Sequence, residues 1–175
     1  MKKIIAVFLL SALFAAPAMA AAPGAYVALD AQNWSTSNNA PLGNPGLGLR
    51  IGVGYNFTPN VGLEADYEQS GNSSSVAGVS DKISAAQLAV VGTYPINPDW
   101  NVFAKVGMSA NKVSVSGAGC TSCSKTDFLY GIGGQYNINM NWGVRLQYEN
   151  IGKVTNTGSN DLSASTISLG VVYAF

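Results

Sequence analysis

The stretch Trp142-Gly-Val-Arg-Leu-Gln-Tyr-Glu149 decides the fold. Large apolar residues stand at every second position, at Trp142, Val144, Leu146 and Tyr148, and small or polar residues fill the positions between them. A period of two places these apolar side chains on one face of a β-strand, whereas one face of a helix repeats about every 3.6 residues. The stretch therefore predicts a strand with one apolar face and one polar face.

The same alternation extends along the chain from Gly24 and is interrupted at intervals by Gly, Asn, Pro and Ser. Only a few residues depart from it, such as Phe103 and Val172, which fall on the polar side of their strands. We predict eight strands, at residues 25–34, 47–57, 61–69, 83–94, 100–112, 127–136, 142–151 and 164–175.

The connections between these strands alternate in length. Residues 58–60, 95–99 and 137–141 form short turns, whereas the connections at 35–46, 70–82, 113–126 and 152–163 are long and rich in Ser, Gly and Asn. An even number of antiparallel strands with short turns at one end and long loops at the other is typical of outer-membrane barrels. The predicted fold is all-β, an eight-stranded antiparallel up-and-down transmembrane β-barrel with both termini on the periplasmic side.

Composition supports a membrane location. Of the 175 residues, 47% are hydrophobic and only 10% are charged, whereas about 25% of a typical soluble domain is charged. The alternative is a secreted soluble barrel or sandwich with its apolar face inside, but that fold would need many more charged side chains outside. A Lys or Arg facing mid-bilayer lipid costs about 2–4 kcal/mol, so Arg50, Lys105 and Arg145 are expected in the lumen.

Aromatic residues near the short turns predict a girdle at the periplasmic interface of the membrane. It consists of Tyr55, Phe57, Trp100, Tyr136, Trp142, Tyr173 and Phe175.

The balance of charges and the absence of His exclude several functions. Nine basic and nine acidic residues leave no basic surface for a nucleic acid. Without His, most acid–base hydrolases and His-ligated metal sites are disfavoured. We expect no enzyme activity, no cofactor and no metal.

The N-terminal segment has the features of an export signal. Lys2 and Lys3 precede an apolar run at residues 4–16, and Ala18-Met19-Ala20 supplies small residues for cleavage after Ala20. The alternative, a membrane helix, would need about 20 apolar residues. We therefore expect residues 1–20 to be a cleaved signal peptide and residues 21–175 to be the barrel, exported through the periplasm.

The polar face of the predicted barrel carries three bases and five acids. They are Asp30, Arg50, Glu64, Asp66, Glu68, Lys105, Arg145 and Glu149. Because an unpaired buried charge costs several kcal/mol, we expect a lumenal ionic network, with any surplus acid hydrated near a mouth or protonated. A permeation path or gate is the alternative, and acid–base chemistry by Glu64 and Glu68 is a further one.

Cys120 and Cys123 lie in the third long loop. Transit through an oxidising periplasm favours a disulfide between them. A redox motif would need the start of a helix in an α/β fold, and a zinc site would need further Cys or His ligands.

Several segments resemble the N-terminal transmembrane domain of the outer membrane protein A family and its small relatives. They are Val61-Gly-Leu-Glu-Ala-Asp-Tyr67, Tyr94-Pro-Ile96, Arg145-Leu-Gln-Tyr148 and Ser168-Leu-Gly-Val-Val-Tyr-Ala-Phe175. The resemblance covers nearly the whole mature chain and implies an eight-stranded barrel with a plugged polar interior. Tyr173 and the terminal Phe175 resemble the signal that the barrel-assembly machinery reads.

Two departures limit what this resemblance implies. Larger family members continue into a peptidoglycan-binding domain, and because the chain stops at Phe175 that anchoring role is not expected. Members with a lumenal ion-pair gate carry an acid that corresponds to Glu64, but Val91 and Gln147 replace its base and second acid. The resemblance therefore does not extend to that gate.

Together these observations predict a non-catalytic protein of the Gram-negative outer membrane that presents surface loops for structural or interaction roles, such as those of a surface antigen or adhesin. The expected partners are outer-membrane lipid including lipopolysaccharide, and the barrel-assembly machinery during biogenesis. The sequence identifies no surface ligand. The alternatives are a narrow channel for small solutes and, from another class, a secreted soluble binding protein.

Overall fold

The computed structural model describes residues 23–37, 46–71, 73–76, 79–116, 123–157 and 160–175. The strands are β1 Gly24–Ser37, β2 Leu47–Thr58, β3 Val61–Gln69, β4 Ser73–Val76, β5 Val79–Pro95, β6 Trp100–Ser116, β7 Cys123–Asn137, β8 Trp142–Thr157 and β9 Asn160–Ala174. Within these residues, no helix is long and apolar enough to cross a membrane.

The strands form one closed antiparallel barrel. Neighbours along the chain pair with each other, β9 pairs with β1, and β3 pairs with β5 to complete the circle. The short β4 pairs only with the loop-side part of β5, so eight strands make the wall. This confirms the predicted eight-stranded barrel. Closure leaves no open edge in the wall, as a hydrocarbon environment requires.

The alternation in sequence becomes an alternation of exterior and interior. The apolar positions face outward: Leu29 is 54% exposed, Ile51 57% and Leu146 55%. Their polar neighbours face the lumen, and Arg50 and Arg145 are 0% and 3% exposed. A soluble barrel would show the reverse arrangement, so the exterior is a surface suited to lipid.

Aromatic residues mark both edges of this apolar exterior. At the short-turn end, the predicted girdle is joined by ring contacts, including Trp100–Tyr136 at 5.0 Å and Trp142–Tyr173 at 4.9 Å between centroids. A second group, the outer belt, lies toward the long loops and consists of Tyr67, Phe128, Tyr130 and Tyr148. Beyond it, outward positions carry a polar collar of Asn33, Ser35, Ser84, Lys112, Ser124, Thr126, Asn150 and Ser165.

Several strands extend farther into the predicted long loops than the sequence analysis expected. β8 continues to Thr157 and β9 begins at Asn160, where a loop was predicted over residues 152–163, and β6 continues to Ser116. Residues 73–76 and 79–82 likewise form a hairpin within the predicted 70–82 loop. The backbone pairing between neighbouring strands thus continues beyond the residues at which the predicted strands end.

Candidate functional site

The barrel lumen brings charged side chains from five strands into one layer. Asp30 lies on β1, Arg50 on β2, Glu64 and Asp66 on β3, Lys105 on β6, and Arg145 and Glu149 on β8. All seven are at most 4% exposed.

Small residues on the other strands make room for these side chains. Gly170 on β9 lies against the Asp30 carboxylate, and Gly131 on β7 lies against the side chain of Glu149. An added Cβ at either glycine would overlap its neighbour. Glycine is therefore required at positions 131 and 170 by the volume of the charged layer.

Lys105 stands at the centre of the acidic residues. Its Nζ lies 2.7 Å from Glu64 Oε1, 2.8 Å from Asp66 Oδ2 and 2.7 Å from Glu149 Oε1. An ammonium group carries three N–H donors, so one lysine can serve all three carboxylates.

The two arginines extend this centre into a continuous network. Arg50 donates to Asp30 Oδ2 at 2.8 Å through Nη2 and to Glu149 Oε2 at 2.9 Å through Nη1. Arg145 donates to Glu64 through Nη1 at 2.8 Å and Nη2 at 3.3 Å, and its Nε lies 3.3 Å from Asp30 Oδ1. Every acid in the layer thus contacts at least one cation.

Glu68 is the one predicted network residue that the structure places apart from these pairs. It is 0% exposed and its Oε1 accepts a hydrogen bond from Gln87 Nε2 at 2.8 Å. Within the described residues, Glu68 makes no ion pair with any of the three bases. The surplus acid is therefore enclosed within the lumen and does not lie near a mouth.

Two aromatic residues complete the network on its periplasmic side. The Tyr26 hydroxyl donates to Glu64 Oε2 at 2.6 Å. The guanidinium carbon of Arg145 lies 5.9 Å from the ring centroid of Phe103, within the range of a cation–π contact. Sequence reasoning missed both roles, although Tyr26 shares the strand face of Asp30 and the polar-side position of Phe103 pointed to the lumen.

The periplasmic end of the lumen opens into a small vestibule of about 50 Å³. Its lining includes Tyr26, Asn101, Phe103, Gln135 and Arg145, so the charged layer forms its inner limit. The vestibule has room for only a few water molecules.

The opposite end of the lumen is closed by apolar side chains, which we call the apolar cap. It consists of Trp34, Ile83, Leu129 and Ile151, each at most 6% exposed and packed in one cluster. These residues lie on the lumen face near the long-loop ends of their strands, at the level where the outward face becomes polar. Sequence reasoning missed the cap, which could have been found by extending the lumen face of β1 from Asp30 to Trp34.

The remaining predicted sites differ in how much of them the structure describes. Tyr173 packs against Phe175 with centroids 5.1 Å apart, at the end of the girdle. Residues 1–20 and Cys120 lie outside the described residues, so the signal peptide and the disulfide stay predictions. No group of three or more His, Cys, Asp or Glu among the described residues is placed to hold a metal ion.

A closed barrel with an apolar exterior, aromatic edges and its charges inside defines an integral outer-membrane β-barrel protein. The chain belongs to the outer membrane protein beta-barrel domain family, whose model matches residues 6–175. This places the protein in the Gram-negative outer membrane.

Comparisons with individual proteins agree with this family. The chain is 29% identical over 150 residues to outer membrane protein A of Serratia marcescens, covering 78% of this chain and 42% of the relative. It is 27% identical over 156 residues to outer membrane protein A of Klebsiella pneumoniae, covering 82% and 45%. The chain thus spans less than half the length of these relatives.

Solved structures share the fold. Neisserial surface protein A matches with a TM-score of 0.66 at 20% identity, covering 87% of this chain and 97% of that one. Ail, the attachment invasion locus protein of Yersinia pestis, matches with a TM-score of 0.61 at 19% identity and the same coverage; that structure contains the heparin analogue sucrose octasulfate.

Proposed function

We propose that this protein neither catalyses a reaction nor conducts solutes, and that its barrel anchors the outer segments of the chain at the cell surface for structural or interaction roles. One observation carries the proposal: the lumen is filled, with a buried ionic layer at its centre and the apolar cap beyond it. An eight-stranded barrel encloses little more room than its own side chains need.

The filled lumen opposes permeation for two physical reasons. An ion crossing the charged layer would have to separate buried pairs such as Arg145–Glu64, and breaking a buried pair costs about 3–5 kcal/mol. The same ion would then meet Leu129 and Ile151, whose side chains offer it no compensating polar groups.

The surface role is supported by composition and by fold. The long-loop segments are rich in Ser, Gly and Asn, a composition suited to hydrated contact surfaces. Two proteins of the same fold are a Neisserial surface protein and an attachment invasion locus protein. At 20% and 19% identity the likeness concerns the fold, so the ligand of the second protein is not assigned to this chain.

The alternative function is a narrow channel, which the periplasmic vestibule favours because it leads to Arg145. Planar-bilayer recording separates the two functions. We expect the purified barrel to give no reproducible conductance steps in a membrane where a control porin does. Steps that change in size on Lys105→Ala or Glu64→Ala would overturn the closed-barrel proposal and establish the channel.

We also propose that export removes residues 1–20, that Cys120 and Cys123 are oxidised to a disulfide, and that Tyr173 and Phe175 form part of the assembly signal. Mass spectrometry of protein isolated from outer membranes tests the first two. The expected mass is that of a chain that begins at Ala21. It should rise by about 2 Da on reduction, because two thiols replace the disulfide. A mass that includes residues 1–20, or one unchanged by reductant, would contradict the corresponding proposal.

A further inference from the structure

Glu68 and two glutamines form a polar cluster between the charged layer and the apolar cap. Glu68 Oε1 accepts a hydrogen bond from Gln87 Nε2, and Gln32 lies next to the same carboxylate. All three side chains are at most 5% exposed. On β1, Gln32 stands between Asp30 of the charged layer and Trp34 of the apolar cap, so the cluster lies between these two levels of the lumen.

Each side chain of this cluster has an oxygen atom without a hydrogen-bond partner among the described residues. The three atoms are Glu68 Oε2, Gln87 Oε1 and Gln32 Oε1. Ionised carboxylate oxygens and amide oxygens accept hydrogen bonds and donate none. Because a buried polar atom without a partner is unfavourable, the three oxygens are suited to a ligand that carries positive charge.

The charges of the lumen also leave Glu68 without a positive partner. The five lumenal acids exceed the three bases by two, and Lys105 and the two arginines contact the other four acids. A buried charge is stable only when it is paired or coordinates an ion. A cation at Glu68 would balance one of the two surplus charges.

The ligand atoms favour a monovalent cation. Ca²⁺ takes about six to eight oxygen ligands, and Mg²⁺ gives up its water reluctantly. The cluster offers one unpartnered carboxylate oxygen and two amide oxygens, so its negative charge matches a single positive charge. Oxygen atoms are the ligands that hard cations prefer, so such a site needs neither His nor Cys.

We propose that Glu68, Gln87 and Gln32 bind one Na⁺ ion in the lumen. Glu68 Oε2 supplies the negative charge, and the two amide oxygens replace water molecules of the ion's hydration shell. Because the charged layer and the apolar cap lie on either side of the cluster, the ion is taken up as the barrel folds and stabilises the folded state. The site needs no path for conduction, so it is independent of the closed-barrel proposal.

The test is urea unfolding of the barrel in uncharged lipid vesicles at constant ionic strength, with Na⁺ replaced stepwise by N-methylglucamine, a cation too large for the cluster. Above the dissociation constant, each tenfold increase in Na⁺ should lower the unfolding equilibrium constant about tenfold, because one ion binds only the folded state. Glu68→Gln should remove this dependence. A wild type that does not respond to Na⁺, or a Glu68→Gln variant that responds as the wild type does, would overturn the proposal.

Gln87→Leu and Gln147→Leu form a matched pair that separates the site from the general effect of removing a buried amide. Gln147 is 2% exposed and its amide atoms also have no partner among the described residues, but it lies on β8 beside Gly133 and Ser168. Only Gln87→Leu should weaken the dependence on Na⁺. Equal weakening in both variants would contradict the assignment of ligands, and stronger stabilisation by Ca²⁺ than by Na⁺ at equal concentration would indicate a divalent site instead.

The same experiment defines the state of the protein without the ion. In N-methylglucamine chloride the Glu68 charge has no partner, so Glu68→Gln and the wild type should be about equally stable, or the variant more stable. The effects of charge substitutions in the lumen are therefore measured in this medium.

Discussion

Glu64→Gln is expected to lower the free energy of unfolding by about 3–5 kcal/mol, the cost of breaking a buried ion pair by removing one partner. The Glu64 carboxylate accepts hydrogen bonds from Tyr26, Lys105 and Arg145. A glutamine keeps the shape but removes the charge, and its amide nitrogen cannot accept a hydrogen bond from either cation. Urea unfolding in lipid vesicles, followed by tryptophan fluorescence, measures the change.

The matched control for this prediction is Glu68→Gln. Glu68 is also fully buried on β3, but its hydrogen bond comes from Gln87, and it makes no ion pair with the described bases. Removing its charge from a lumen with more acids than bases should change the free energy of unfolding by less than about 1 kcal/mol, or raise it. If both variants lose the same free energy of unfolding, the ion pairs of Glu64 do not contribute more to stability than a buried carboxylate without an ion pair, and the prediction is wrong.

A second pair of variants keeps the prediction testable if Glu64→Gln folds poorly. Lys105→Met also breaks the network, because three carboxylates converge on that ammonium group. The double variant Glu64→Gln and Lys105→Met removes both members of one pair, so its loss should be smaller than the two single losses added together. Simple additivity would mean that Glu64 and Lys105 do not interact.

The orientation of each strand could be predicted from sequence because lipid and lumen impose opposite requirements on alternate residues. A cation such as Arg145, between Val144 and Leu146, must face the lumen. Its position therefore determines which residues of the whole strand face lipid and which face inward. For the same reason, the sequence predicts that the eight acids and bases of these strands all face the lumen.

The pairing within that set could not be predicted in the same way. Arg145 and Glu64 are 81 residues apart and lie on β8 and β3, which are not neighbours in the wall. Which charges meet across the lumen depends on the register of every strand pair around the barrel, and alternation fixes the face of a residue but not its height. The absence of an ion pair between Glu68 and the described bases could not be predicted for the same reason, since it depends on the height of Glu68 in the lumen.

The apolar cap shows where the rule of apolar outside and polar inside ends. Leu129 and Ile151 face the lumen and are fully buried, although their strands carry lipid-facing residues at alternate positions below them. At this level the outward face carries the polar collar, so apolar side chains gain more from packing against one another inside. Trp34 completes this packing from β1.

The lipid-facing exterior leads to a prediction that depends on depth in the membrane. Leu29 on β1 is 54% exposed and lies between two other aliphatic residues, Ile51 and Val171, on the neighbouring strands. Ser35 faces outward on the same strand, six residues nearer the long loops, and pairs with Ser165 in the polar collar. The two positions share a strand and a face, so they differ chiefly in their distance from the bilayer centre.

Leu29→Arg is expected to lower the free energy of unfolding in vesicles by about 2–4 kcal/mol, whereas Ser35→Arg should cost about 0–1 kcal/mol. At Leu29 the guanidinium would lie among acyl chains, and at Ser35 it would reach water and headgroups. Urea titration gives both values, and the fraction that resists SDS until boiled reports how much protein folds. Equal losses at the two positions would mean that this surface does not face a bilayer, because in a bilayer the cost of a charge must fall toward the interface.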